Sequence, residues 1–351
     1  MCLWGGVTGS SSNFPLASGG AYYDNSYNGG SYDAFIAKFS GSNLSLVWST
    51  YFGGNGQEND ISIALDGSGN VFVVGQTRST SNFPLENPGG GAYYVGTYNG
   101  GTSDAFIAKF SGSNLSLVWS TYYGGGDRDY TLGYRSIAVG AGVIAVGALT
   151  YTTNGSFPVA DRSPSCPGGF YQGRHGGGQE DLAILTFDLN GVPVWRTFYG
   201  GSRHDESPLS VAVHSTYLYV VGNTPGSLPP LSHLPNPGGG AYHDDTHNGS
   251  HDAVLLRFNY ANCPLVRWEE GVDEGAGHRR GSWEAWWDGK AVRVAGIEAP
   301  GWYSVMGMDG RIVGRWYVDG EAGALEGPWS PGLYVVYQEG SGESRRVYVG
   351  P

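Results

Sequence analysis

Residues 33–51 and 104–122 are one and the same stretch, DAFIAKFSGSNLSLVWSTY, written twice without a change. A looser third copy begins at Asp181 (DLAILTFDLNGVPVWRTFYGG) and a fourth at Asp252 (DAVLLRFNYANCPLVRWEEG). The aspartates 33, 104, 181 and 252 are 71, 77 and 71 residues apart, and Trp48, Trp119, Trp195 and Trp268 keep nearly the same beat. A period carried by a whole supersecondary unit restricts the chain to architectures whose units bury their apolar faces against neighbouring copies.

Within the first repeat, four short segments are predicted to be strands: 34–39, 46–51, 61–65 and 71–75. They are rich in Val, Ile, Phe, Trp and Thr, and SGSN, FGGNGQEND and the turn Asp66-Gly67-Ser68-Gly69 separate them. Both faces of 35–39 and 71–74 are largely apolar, as in sheets covered on two sides. The fold class that follows is all-β, a β-propeller of four-stranded repeats with a small Ig-like β-sandwich behind it. The expected division is 1–280 for the propeller and 281–351 for the sandwich. Beyond Gly281 the pattern changes to KAVRVAG, GWYSVMGMDGRIVGRWYV and SPGLYVVYQEG, with turns at Asp309-Gly310 and Pro331-Gly332.

Residues 2–16, CLWGGVTGSSSNFPL, align without a gap on 71–85, VFVVGQTRSTSNFPL, so the chain opens on a fourth strand. Such a strand must join a sheet or leave its backbone groups unpaired. Two homes are considered: completing the decayed fourth repeat, and insertion into a second copy as a donated strand. Donation is preferred, and head-to-tail contacts of that kind build homopolymers. Cys2 and Cys263 fall on the same face, with Cys166 on the other, so any disulfide is expected between Cys2 and Cys263.

Glycines end corresponding segments: Gly75, Gly147 and Gly222 after the fourth strand, and the pairs 53–54, 124–125 and 200–201 after the second. A bend or positive φ is expected there. Asp33, Asp104, Asp181 and Asp252 precede a strand and are read as caps of local backbone N–H groups rather than as catalytic acids.

The long crossovers between repeats carry the unusual chemistry: GGAYYDNSYNGGSY at 19–32, GGAYYVGTYNGGTS at 90–103 and GGAYHDDTHNGSH at 239–251. Tyr23, Tyr27, Tyr94, Tyr98, His243 and His247 are the candidate ligand-binding residues, either by stacking on sugar rings or, for the histidines, by holding a transition metal. Tyrosine and histidine alternate in these positions, which favours aromatic packing, so no metal site is assigned. Asp24, Asn25, Asp244 and Asp245 leave calcium open, without EF-hand spacing. No nucleophile elbow, P-loop, HExxH or CxxC occurs, so no catalytic residue and no cofactor are assigned.

Net charge −12 argues against nucleic acid as a partner, and no apolar run approaches a bilayer span. Sixty-one glycines and 24 tyrosines with only 14% charged residues suit a turn-dense β protein.

The run DAFIAKFSGSNLSLVWSTYFGG, ISIALDGSGNVFVVGQT and NFPL resembles the bacterial β-propeller repeat called SBBP, over about residues 1–270. The resemblance implies a propeller and a place outside the cell, with no particular reaction. Met308-Asp309-Gly310-Arg311-Ile312-Val313, Pro331-Gly332-Leu333-Tyr334-Val335 and Arg345-Arg346-Val347-Tyr348-Val349 resemble the C-terminal sorting domain of the type IX secretion system. That second resemblance implies export across the outer membrane. The start, MCLWGGVTGS, has no basic n-region or apolar h-region, so residues upstream of Met1 are expected to have been lost or removed. The expectation is a non-enzymatic structural or adhesive protein outside the cell, self-associating. A glycan-binding module is the alternative, and a propeller hydrolase or lyase comes third.

Overall fold

The computed structural model describes residues 2–133, 135–160, 170–201, 207–215, 217–224 and 252–259, and in the C-terminal part 284–287, 292–295, 301–307, 312–318, 322–325, 332–338 and 344–349. The chain divides into two compact units, Met1–Glu270 and Gly271–Pro351. Every regular element among the described residues is a strand.

In the first unit, sheet I contains β1 (Cys2–Thr8), β2 (Ala17–Ser18), β3 (Asp33–Phe39) and β4 (Leu46–Phe52), in the order β1-β3-β4-β2. Sheet II is β5 (Glu58–Leu65), β6 (Val71–Thr77), β7 (Asp104–Phe110) and β8 (Leu117–Tyr123), in chain order. Sheet III runs β10 (Ile137–Gly140), β11 (Val143–Thr150), β12 (Asp181–Asp188), β13 (Pro193–Tyr199), with the short β9 (Asp129–Tyr130) also on β11. Sheet IV is β14 (Ser207–His214), β15 (Tyr217–Thr224) and β16 (Asp252–Asn259). All pairings are antiparallel, and the four-stranded sheets are consistent with propeller blades.

The sheets are not the sequence repeats. A repeat beginning at Asp33 gives its first two strands to sheet I and its last two to sheet II. The Gly-Gly loop carries the chain from one sheet to the next, while the long crossover stays within a sheet. Its path explains its length. After the fourth strand, the chain reaches the far edge of the sheet and pairs there with the second strand (Ala17 with Ser49, Glu86 with Ser120, Ala160 with Arg196) before returning as the first strand. The outer edge of each sheet is thereby covered by its own crossover.

This arrangement corrects the expectation for the leading strand. β1 pairs along its whole length with β3, from Cys2 opposite Phe39 to Thr8 opposite Asp33. It does not stand free for donation. A fourth-type strand lies beside a first-type strand in sheets II and III as well, so β1 occupies its ordinary place. Its Cys2 is an exposed free thiol, and Cys166, Cys263 and Trp268 lie outside the described residues.

The glycine expectation is also corrected. Gly53, Gly54, Gly75, Gly124, Gly125, Gly147 and Gly200 are absent from the left-handed region. What they supply is room: a Cβ on Gly75 would stand 2.6 Å from Ile61 Cδ1 and 2.8 Å from Phe106 Cε1. Left-handed positions that recur between repeats are other glycines, Gly30 with Gly101 (φ 64° in both), and side-chain-bearing residues, Leu44 with Leu115 (φ 58° and 60°) and Asn13 with Asn82 (φ 61° and 57°).

The two leucines have the same sequence context and different surroundings. Leu115 is 3% exposed, and its carbonyl accepts the Tyr22 N–H from the preceding crossover (3.1 Å); Leu44 is 67% exposed. Leu44→Gly should therefore raise stability by about 1 kcal/mol, because it only relieves the left-handed backbone. Leu115→Gly should lower it by about 1–2 kcal/mol, since burial worth about 2–3 kcal/mol is lost against the same relief. Urea unfolding of the two variants checks this, and equal effects would contradict it.

The core lies between successive sheets. Phe52, Phe83, Phe106, Phe110 and Tyr122 join sheets I and II, with ring centroids 5.1–5.7 Å apart. Trp119, Tyr123, Phe157, Phe187 and Phe198 repeat the arrangement between II and III.

The second unit has a sheet of β17 (Glu284–Trp287), β18 (Val292–Ala295) and β21 (Ala322–Leu325), and another in the order β20 (Ile312–Val318), β19 (Gly301–Gly307), β22 (Gly332–Gln338), β23 (Ser344–Val349). Glu284, which stands in the fourth repeat where the others have Ala64, Ala138 and Ala212, pairs with Ala295 in this unit.

Candidate functional site

Three tryptophans hold the crossovers in place by one scheme. Trp48 Nε1 donates to Tyr22 O (2.8 Å), Trp119 Nε1 to Tyr93 O (2.8 Å) and Trp195 Nε1 to Phe170 O (3.0 Å). Two residues further on, Asp24, Val95 and Gln172 each donate a backbone N–H to a threonine of the neighbouring strand, Thr50, Thr121 and Thr197, at 2.8 Å. A crossover is thus an extra strand laid along the second strand of its own sheet.

The aspartate at the head of each first strand closes the crossover's last turn. Asp33 Oδ2 accepts the Asn28 N–H (2.5 Å), Asp104 Oδ2 the Asn99 N–H (2.6 Å) and Asp181 Oδ2 the Gly176 N–H (2.5 Å). Asp252 begins β16.

Opposite this aspartate stands an acid that the sequence reading did not single out. Glu58 and Asp129 each lie five residues beyond the first glycine of a Gly-Gly pair, at the entrance of the next sheet. Glu58 Oε1 accepts the hydroxyls of Thr77 and Ser79, both at 2.6 Å. Asp129 Oδ2 accepts the Gly125 N–H (2.6 Å) and the Thr152 hydroxyl (3.3 Å). A Cβ on Gly53 would run into Glu58 Oε2 and meet Asp33 Cγ at 3.4 Å; one on Gly124 would stand 2.6 Å from Asp129 Oδ2 and 2.8 Å from Asp104 Oδ1. Gly53 and Gly124 therefore each face two carboxyl groups, one from each sheet.

All four acids are 0% exposed. Among the described residues Asp33 Oδ1, Glu58 Oε2 and Asp104 Oδ1 have no hydrogen-bond partner. Burial pushes Asp33 up to about 6, with the charge of Asp24 adding and the Asn28 N–H opposing. It pushes Glu58 up to about 8 against the pull of the Ser79 and Thr77 hydroxyls, with Asp33 adding. Asp104 is raised to about 7 by burial, against Asn99. Asp129 is raised to about 7 by burial, against Thr150 and Gly125, with Asp104 adding. The Thr-x-Ser and Thr-x-Thr spacings of 77–79 and 150–152 are the sequence signal that marks where such an acid is received. Asp205 has the same spacing from Gly200 and lies outside the described residues.

The crossover aromatics separate into two groups. Tyr27 packs edge-on against Tyr51 at 6.0 Å and Tyr98 against Tyr122 at 5.9 Å; His175 fills the same slot in sheet III, 6.1 Å from Phe198. Tyr27 and Tyr98 donate to Gly30 O (3.1 Å) and Gly101 O (3.4 Å). Tyr23 and Tyr94 are 39% and 37% exposed. His243 and His247, with Asp244 and Asp245, lie outside the described residues. The Asp24 carboxylate is occupied within its own turn, by the Ser26 N–H (2.9 Å) and Asn28 Nδ2 (2.7 Å). Among the described residues no three His, Cys, Asp or Glu side chains form a metal-holding group.

One junction carries chemistry that its counterpart lacks. Arg128 lies with its guanidinium carbon 4.0 Å from the Tyr130 ring centre and 5.7 Å from that of Tyr151. Tyr130 donates its hydroxyl to Glu180 Oε2 (2.6 Å). Arg128, Tyr151 and Glu180 are half-buried at the start of sheet III.

Residues 47–84 match the family model of the SBBP beta-propeller repeat. That stretch takes in Trp48, both glycines of the first pair, Glu58, Thr77 and Ser79. Among solved structures the Phage phi92 endosialidase is similar at 11% identity and a TM-score of 0.33, over 91% of this chain and 50% of that one. This chain therefore spans half of that structure's length. Comparison with curated proteins gives no match.

Proposed function

We propose that this chain is a non-catalytic structural or adhesive β-propeller protein that works outside the cell or on its surface. The observation that carries the reading is the placement of four perturbed acids, Asp33, Glu58, Asp104 and Asp129. They are fully buried and recur in the same form from one sheet junction to the next. Groups used in this way hold sheets together. General acid–base work requires groups within reach of a bound substrate. The C-terminal strands that resemble a sorting domain support export. Self-association belongs to the same reading; with β1 paired inside its own chain, copies meet through other surfaces.

A second reading, glycan binding, is favoured by the half-exposed Arg128, Tyr151 and Glu180 and by the exposed rings of Tyr23 and Tyr94. An aromatic ring beside charged hydrogen-bonding groups suits a sugar.

Purified protein should show assemblies in negative-stain electron microscopy or adhere to cell surfaces, and should turn over no member of a panel of glycans and esters. Turnover abolished by a single Asp, Glu or His substitution would overturn the proposal, as would a non-adhering monomer. Glycan-array binding lost in Arg128→Ala and Tyr94→Ala would select the second reading.

A further inference from the structure

We infer that the two carboxyl groups at each described sheet junction, Asp33 with Glu58 and Asp104 with Asp129, hold a single proton between them, and that this proton locks successive sheets together. The geometry carries the inference. In the first pair, one oxygen of each carboxyl is engaged by donors of its own sheet, Asn28 for Asp33 and Thr77 and Ser79 for Glu58. Those donors fix the orientation of the group. The remaining oxygens, Asp33 Oδ1 and Glu58 Oε2, are buried without a hydrogen-bond partner, and both groups lie near the Cβ position of Gly53. At the second junction the unpartnered oxygen is Asp104 Oδ1, and it closes on Gly124 together with Asp129 Oδ2. Two like charges that close in a dry site cannot both be ionised at low cost, and one proton turns the repulsion into an O–H···O⁻ hydrogen bond.

The groups facing these pairs offer no other neutralisation. Asp24, Tyr27 and Tyr51 face Asp33, and Tyr27 and Tyr122 also face Glu58. Tyr98 and Tyr122 face Asp104, and Tyr98 and Tyr123 face Asp129. Among the described residues the cations around them act on other groups and not on these carboxyls: Arg78 on Tyr98, Arg196 on Tyr123 and Arg128 on Asp60. A hard divalent cation needs about six or more oxygen ligands, more than two facing carboxyls supply. The second junction uses a shorter acid, Asp129 for Glu58; Thr152 receives it where Ser79 receives Glu58, and Asp129 Oδ2, the oxygen nearest Gly124, also accepts the Gly125 N–H.

Proton uptake is simple in balance. One carboxylate takes a proton from water to become the acid, and the same proton returns to hydroxide or buffer when the pair ionises fully. Burial raises all four groups, and the partner carboxyl adds to the rise at Glu58 and at Asp129. The sign follows from it: the folded protein holds these protons above the ordinary carboxyl range, where the unfolded chain has released them. Stability is therefore complete below about pH 4 as far as these groups are concerned. It declines as pH rises through the folded values of about 6 to 8, and levels off above them.

The test is thermal unfolding of the whole chain between pH 5 and pH 9, in wild type, Glu58→Gln, Asp129→Asn and the double variant. The amides keep an acceptor for Thr77, Ser79 and Thr152 and place an N–H where the proton would be. Wild type should lose about 5 °C or more in Tm between pH 6 and pH 9. The double variant should follow a flatter curve and exceed wild type at pH 9. Infrared difference spectra of wild type across the same range should show a buried protonated carboxyl disappearing, a readout that needs no variant. Parallel curves in all four proteins, or no carboxyl band, would overturn the inference. A wild-type Tm at pH 8 that drops with EDTA and recovers with calcium would replace the proton with a cation.

Discussion

Trp119→Ala is expected to destabilise the protein by about 3–5 kcal/mol, the cost of removing a large buried aromatic. Trp119 is fully buried between sheets II and III, 5.6 Å from the Phe187 ring. A Cβ on Gly191 would come within 2.9 Å of its ring, so the turn of sheet III rests on the indole. The alanine variant loses that packing and leaves Tyr93 O without the indole N–H that anchors the crossover. Trp119→Phe keeps much of the packing and loses the indole N–H to Tyr93 O, and should cost about 0.5–1.5 kcal/mol beyond the lost packing, the range for one hydrogen bond. Denaturant unfolding of both variants separates the two contributions. A tryptophan that only filled space would give a phenylalanine variant close to wild type.

The second large effect is expected at the sheet crossing. Gly54→Ala should cost about 3 kcal/mol or more, at the upper end of overpacking effects. A Cβ there would lie 2.6 Å from Ser81 O, 2.7 Å from Phe83 N and 2.8 Å from Ser79 Cβ. Two of these atoms are backbone and cannot swing aside. The same segment accepts the Asn55 N–H at Ser81 O and the Tyr122 hydroxyl at Ser79 O, so a shift would disturb both sheets. Gly67→Ala is the control, since nothing lies within 4 Å of its added Cβ. Thermal unfolding should show a large fall in Tm for the first and little change for the second. Equal shifts would mean that the Gly-Gly pair serves the unfolded chain's freedom and not a close approach.

Much of this protein is written in its periodicity. Two identical copies of DAFIAKFSGSNLSLVWSTY cannot adopt unrelated structures in neighbouring positions, and their apolar runs, bounded by Gly, Asn and Asp, are strands for local steric reasons. The aspartate at the head of each copy is legible in the same way, because its partner is a backbone N–H only five residues away. The tryptophans were visible as a beat. That their indoles tether a crossover was not, since the acceptor carbonyls are 25 or 26 residues distant.

Tertiary structure decided what a repeat cannot announce, namely where one sheet stops and the next begins. Sequence similarity is unchanged when the frame of a repeat is moved by two strands. Only hydrogen bonding shows that a fourth strand belongs beside the following first strand, and this is why β1 has a place in its own chain. The acid pairs are hidden for the same reason. Asp33 and Glu58 come from different sheets, and neither spacing nor composition brings their carboxyl groups to one glycine; the crossing of the chain at Gly53 does.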